Sequence, residues 1–287
     1  MFDLAQYLEN RGRAVDRALD REMPPASERP QRLHEAMRYS VFSGGKRIRP
    51  ILCLAAAESV GGGAENAIPP AMAVELLHTY TLIHDDLPAM DDDDLRRGKP
   101  TSHKVYGEAM AILAGDALQA LAFETLARTS APPPYPPGQF LAELAGAAGS
   151  RGVVGGQVED IAVAARRPDA ETMQFILLHK TADLFKAALR MGAFAGSASP
   201  ADLTAATAYG VNLGLAFQIT DDLLDAAATE ETGAPDEMSC LMLYTPEQAR
   251  TEAARLIRDA TKAVARLREP GRDALVAIAE YVLSRSS

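Results

Sequence analysis

Apolar residues recur at helical spacing along almost the whole chain, Ala and Leu dominate, and β-branched runs are short. That pattern predicts an all-α fold. The periodicity breaks at Met23 to Pro30, Gly61 to Pro70, Ser130 to Gly138, Gly196 to Pro200 and Glu230 to Pro246, each rich in Gly, Pro or polar residues. Apolar helices of unchanged composition continue on both sides of every break. The breaks therefore read as interhelical loops within a single domain, residues 1–287, and no fixed-period repeat points to a solenoid.

Composition narrows the function classes. A chain of 287 residues, 47% hydrophobic, can bury a large core. Its formal net charge of −10 repels phosphate backbones, and no basic patch overrides it, so no nucleic-acid partner is expected. Glu75, His78 and the aspartates interrupt the best apolar run, so no membrane span is expected. Met1 to Val15 lacks the apolar core of a secretory signal. Cys53 and Cys240 fit neither a zinc site nor a disulfide framework, and together these features point to a reducing cytoplasm.

Two segments carry chemistry. In Ala71 to Leu87, Leu76, Tyr80, Ile83 and Leu87 form an apolar helical stripe, while His78, Leu82 and Asp85 form another nearly in line. In Gly210 to Asp225, Gly214, Gln218, Asp221 and Asp225 share one face. Like charges at i, i+4 destabilise a bare helix by roughly 0.2–0.5 kcal/mol, so a cation is expected against that face. Both aspartate clusters, Asp85-Asp86 with Asp91 to Asp94 and Asp221-Asp222 with Asp225, sit at the C-terminal, negative ends of apolar helices. Hard divalent cations with oxygen ligands answer that misplacement, and Mg²⁺ commonly shares its sphere with substrate phosphates. Asp85 and Asp91 would diverge on a continuous helix; Pro88 ends or kinks it and lets Asp91 fold back.

Basic groups stand where a diphosphate would want them: Gly44 to Pro50 (GGKRIRP), Arg96 to Lys99, and His179-Lys180-Thr181. An acidic run alone reads as a solvated loop, and Gly-Gly-Lys-Arg alone as a turn. Two acidic clusters on two helices with three basic clusters is a far rarer combination, and it implies a Mg²⁺-diphosphate site between facing helices.

These residues carry a family resemblance. GGKRIRP at Gly44 to Pro50, HDDLPAMDDDDLRRGKPTSH at His84 to His103 and FQITDDLLD at Phe217 to Asp225 resemble the trans-isoprenyl diphosphate synthases, of the farnesyl and geranylgeranyl diphosphate synthase type. The resemblance implies antiparallel helices bundled around a deep central cavity, the isoprenoid synthase type I fold, usually as a homodimer. It implies head-to-tail condensation of isopentenyl diphosphate with an allylic diphosphate. Asp85, Asp91 and Asp221 would then ligate Mg²⁺, with Asp86, Asp222 and Asp225 beside them. Arg96, Lys180, Thr181 and Gln218 would contact the allylic diphosphate, and Lys46, Arg49, His78 and Arg97 isopentenyl diphosphate. Tyr80 and Thr81, about a turn before the first aspartates, would close the cavity floor and set chain length. The Pro88-Ala89 spacing favours a farnesyl product; Phe2 to Leu19 and SRGVVGGQVEDI at Ser150 to Ile161 look like geranylgeranyl synthases, which stay the alternative.

After Asp225 the chain departs from the family. Lysines normally follow, yet none occurs from Ala187 to Thr261, and Glu237 falls where the last family lysine aligns best. A weakened allylic site, an altered lid or compensation by another cation such as Arg250 is expected. The same departure keeps open a weakly catalytic regulatory subunit and, from the shared metal chemistry, a class I terpene cyclase.

Overall fold

The structure, a computed structural model, describes residues 2–130, 132–163, 168–232 and 239–285, with side chains omitted over 228–232. It is helical nearly throughout. Leu4–Glu22 (α1), Gln31–Val41 (α2), Ile48–Ser59 (α3) and Ile68–Asp85 (α4) precede a two-stranded hairpin, Leu95–Arg96 with Lys99–Pro100. Ser102–Tyr106 (α5), Glu108–Ala127 (α6), Pro137–Ala148 (α7), Val153–Val163 (α8) and Ala170–Ile176 (α9) follow. Asp183–Ala195 (α10), Pro200–Thr232 (α11), Pro246–Val264 (α12) and Gly271–Ser284 (α13) complete the chain. Glu237 lies outside the described residues.

Helix α10 is the axis. Every residue in it except Lys186 and Arg190 is buried, and it packs against α3, α4, α7 and α11. Small residues permit this crowding: a methyl group at Gly192 would run into the Cys53 carbonyl of α3. Helices α4 and α11 both rest on α10 but are not a closely packed pair themselves. The acidic cluster of α4 stands at its C-terminal end. Helix α11, however, runs on to Thr232, about three turns past Asp221, so the second cluster lies within its helix and not, as expected, at the negative end. Burial and like charge, not the helix terminus, make those carboxylates costly there.

Two further expectations need correction. The best apolar run is not the one that Glu75 and His78 interrupt: by length and composition α6 is apolar enough to cross a membrane. It packs against α4, α2 and α5 as a core helix, with Ile112 and Leu113 exposed. Cys240 lies in the segment between α11 and α12, where the break at Glu230 to Pro246 puts it, but is buried in a 3₁₀ turn there, Cys240–Met242, as Cys53 is within α3.

Candidate active site

Helix α4 ends at Asp85, because Pro88 cannot continue it. The chain then reverses: the Asp91 amide donates to the Asp85 carbonyl at 2.9 Å and the Asp92 amide to the Leu87 carbonyl at 3.1 Å, so Asp91 returns beside Asp85. Asp86 turns away into the protein and accepts from Arg96 at 2.5 and 2.9 Å. Arg96 also donates to Asp93 at 2.6 Å. Arg97 and Gly98 form the two-residue hairpin turn, both at positive φ (54° and 75°), which separates the directions of Arg96 and Arg97.

Arg97 lies on the Gly44-Gly45 turn and donates to the Gly44 carbonyl. A Cβ at Gly45 would collide with its guanidinium, and Gly45 has φ +123°, so both space and backbone require glycine. The next arginine is structural. Buried Arg47 donates to Glu75 at 2.6 Å, Asp16 at 2.8 Å and the Val41 carbonyl at 2.6 Å, pinning the loop to α4 and α1. Lys46 and Arg49 are thereby left to the site. Arg49 Nη1 lies 3.1 Å from His78 Nε2. Burial, with Arg49 and Arg97 nearby, pushes the His78 pKa well below its ordinary value, so the neutral ring accepts from Arg49. The Arg49 guanidinium stands 4.5 Å from the Phe185 ring centroid, and its buried Nε has no partner.

A π-helical turn, Leu177–Ala182, carries His179, Lys180 and Thr181 between α9 and α10. Lys180 pairs with Asp160 of α8 and also faces the charges of Asp85 and Asp91. A methyl group at Gly156 would strike the Lys180 backbone, so α8 seats this lysine closely. Gly156→Ala is accordingly expected to displace Lys180 and weaken the binding of inorganic diphosphate about tenfold, with unchanged affinity the contrary result. Thr181 Oγ1 donates to Gln218 Oε1 at 2.7 Å, and Gln218 Nε2 to Asp222 Oδ1 at 2.8 Å. Buried Asp222 also accepts from the Cys240 amide at 2.7 Å. Lys180, Thr181, Gln218, Asp222 and Asp160 line one small recess.

On α11, Asp221 accepts from Arg285 Nη2 at 2.9 Å. The cation expected on this face is therefore Arg285; Arg250 lies exposed on α12. Asp225 is exposed at the next turn. Burial raises Asp85 to about 7 and Asp221 to about 6; neighbouring carboxylates add to both shifts, while Lys180 and Arg285 respectively oppose them.

Among the described residues no three His, Cys, Asp or Glu side chains converge into a self-sufficient metal cage. Adjacent Asp85 and Asp91 instead offer the one or two carboxylates of a divalent ion that completes its sphere from phosphate oxygens, while Asp221 of α11 is held by Arg285. Tyr80 is half-buried, its ring edge-on to His84 at 4.8 Å, and Thr81 Oγ1 donates to the His78 carbonyl at 2.8 Å. Sequence reasoning missed Arg285, Tyr281, Asp160 and the Phe185–Phe217 pair. Of these, Asp160 had a signal as one of two acids, with Glu159, in the mostly small and apolar VVGGQVEDIAV, and Phe217 opens the FQITDDLLD motif.

Comparison with known proteins identifies the family. The family model Polyprenyl synthetase matches residues 30–268. Geranylgeranyl pyrophosphate synthase 7, chloroplastic, of Arabidopsis thaliana is 41% identical over 297 residues, covering 100% of this chain and 85% of that protein. A dimethylallyltranstransferase of Fischerella ambigua is 42% identical, covering 99% of this chain and 84% of its own length. The crystal structure of an FPP/GFPP synthase from Zymomonas mobilis superposes with a TM-score of 0.88 at 38% identity, covering 98% of each chain. The chain belongs to the polyprenyl synthetase family and is a short-chain prenyltransferase with the all-α isoprenoid synthase fold.

Proposed function

We propose that the protein condenses isopentenyl diphosphate head-to-tail with allylic diphosphates to give geranylgeranyl diphosphate, using Mg²⁺. Geranylgeranyl synthases 41% identical over the whole chain support this product over the farnesyl one favoured by the Pro88-Ala89 spacing; the FPP/GFPP synthase, 38% identical over 98% of each chain, keeps farnesyl as the alternative. The observation that carries the condensation is two cationic half-sites with separate anchors. Arg49 rests on His78 of α4, with Lys46 and Arg97 from the neighbouring turns. Lys180 and Thr181 of the π-turn face Asp85, Asp91 and Gln218.

When bound, the divalent ion supplies Lewis-acid charge that weakens the allylic C1–O bond. Lys180, Arg96 and Thr181 stabilise charge growing on the departing diphosphate, and their prior pairing with carboxylates or Gln218 holds them near that position. Arg49, Lys46 and Arg97 hold isopentenyl diphosphate so that its double bond meets the allylic carbon, and the proton then lost from the adjacent carbon goes to the departing diphosphate. Apolar walls from Phe185 and Phe217 exclude water that would quench the cation. Keeping a full second set of diphosphate-binding residues favours elongation over cyclisation. Val154, Val158 and Ile161 form an exposed apolar stripe on α8, with Ile112 and Leu113 exposed on α6; this supports a homodimer, checked by a solution mass of twice 30.6 kDa.

The test is incubation with Mg²⁺, labelled isopentenyl diphosphate and dimethylallyl, geranyl or farnesyl diphosphate in turn, followed by product sizing. A twenty-carbon product is expected from each. Arrest at fifteen carbons would restore the farnesyl assignment, cyclic hydrocarbon without incorporation would make it a cyclase, and activity only within a mixed dimer would make it a subunit. In the same assay Tyr80→Ala is expected to lengthen the product by at least one five-carbon unit; an unchanged product removes Tyr80 from the floor.

A further inference from the structure

The last turn of α13 reaches both half-sites. Tyr281 and Arg285, at i and i+4, share one helix face. Tyr281 Oη accepts from Lys46 Nζ at 2.9 Å, and the ammonium lies 5.3 Å from its ring centroid. Arg285 Nη2 donates to Asp221 Oδ1 at 2.9 Å while its guanidinium sits 5.2 Å from the Phe217 ring. Arg49 stands 5.9 Å from the same ring, so two guanidiniums lie near Phe217, and both act on Asp221. No lysine follows Asp225 before Lys262.

We propose that Arg285 is a positioning residue that supplies the cation missing after Asp225: it orients Asp221, yields that carboxylate to the divalent ion, and is then left facing the allylic diphosphate. This rests on the prenyltransferase reading. A guanidinium and a hydrated divalent cation repel each other and compete for the same carboxylate oxygen. The face of Phe217 keeps the displaced guanidinium local, and a diphosphate offers it the fork geometry it loses on leaving Asp221. Tyr281, holding Lys46, ties the same turn to the isopentenyl side.

Isothermal titration with Mg²⁺ alone and with Mg²⁺ plus inorganic diphosphate separates this role from simple stabilisation. For Arg285→Ala, Mg²⁺-diphosphate is expected to bind about tenfold to a hundredfold more weakly, the loss of a charge-assisted hydrogen bond. Mg²⁺ alone should bind at least as well as to wild type, because its competitor is gone. Arg285→Lys should recover part of the diphosphate affinity, and it serves as the working variant if the alanine protein does not fold. In turnover the allylic KM rises while that for isopentenyl diphosphate moves less than about twofold. Unchanged diphosphate affinity overturns the proposal. So does a parallel fall in affinity for Mg²⁺ alone, which would mean Arg285 only holds the fold together. Wild-type condensation is measured alongside: a condensing wild type with an indifferent Arg285→Ala sinks Arg285 alone, whereas Arg285-dependent Mg²⁺-diphosphate binding without condensation sinks the prenyltransferase reading and leaves Arg285 standing.

Discussion

Replacing Asp85 by asparagine is expected to lower kcat/KM for condensation by about a thousandfold or more, and also to raise the melting temperature of the metal-free protein at pH 8. The first effect follows from removing a carboxylate beside Asp91 where the divalent ion is expected. Charge stabilisation of several kcal/mol in the transition state corresponds to about three decades in rate. The second effect follows from what the site does to Asp85. Burial, augmented by Asp91 and Asp86, raises its pKa to about 7, against the opposing charges of Lys180 and Arg96.

The folded carboxyl thus keeps its proton up to about pH 7, whereas an unfolded one releases it near 4. Between those values the native state binds more protons than the unfolded state, so this group's contribution to stability falls as pH rises and is least favourable above about 7. Asparagine has no such penalty. The advantage of Asp85→Asn should be near zero at pH 4 and grow to on the order of 1–2 kcal/mol above pH 7, a few degrees in melting temperature after allowance for solvent screening. Melting curves at pH 4, 6 and 8 check the trend. A variant that keeps turnover, or melts below wild type at pH 8, would strip Asp85 of its role.

How far the sequence could be read is clear from particular residues. The helices, the acidic end of α4, the shared acidic face on α11 and the return of Asp91 past Pro88 were all legible, because periodicity, like-charge spacing and proline geometry act locally; the continuation of α11 past Asp225 to Thr232 was not. The roles of neighbouring cations were not. Lys46, Arg47 and Arg49 read alike in GGKRIRP, yet left-handed backbone at Arg47 (φ 52°) accompanies its burial against Glu75, and only tertiary packing decides that. Arg285 lies in a terminal LSRSS whose composition suggests an ordinary surface; its partner is 64 residues earlier in the chain. The π-turn was equally hidden, since the seating of α8 against Lys180 depends on Gly156 meeting a backbone distant in sequence.

Arg49→Met is expected to lower kcat/KM for isopentenyl diphosphate about a hundredfold to a thousandfold while leaving the protein as stable as wild type or more so. Arg49 is the cationic counterpart of Asp85. Burial, with Arg97 adding, lowers its pKa to about 10, despite the opposing charges of Glu75 and Asp221. Across the physiological range the unfolded chain holds that proton more tightly than the native state, so burying the cation works against folding, and the penalty eases only as pH approaches 10. Its unpartnered Nε and its position over Phe185 show that protein contacts alone do not satisfy the charge. Methionine keeps the volume against Phe185 and Phe217 and removes the desolvated charge, a change that is often neutral or stabilising. What it removes is a forked donor to phosphate: two charge-assisted bonds of roughly 1.5–3 kcal/mol each, less what water returns, leave a deficit of two to three decades. The decisive measurement is the KM for each substrate in turn together with a melting curve. A KM for isopentenyl diphosphate equal to wild type, or a protein several degrees less stable, would make Arg49 a core residue and move the isopentenyl site away from the cation that His78 holds.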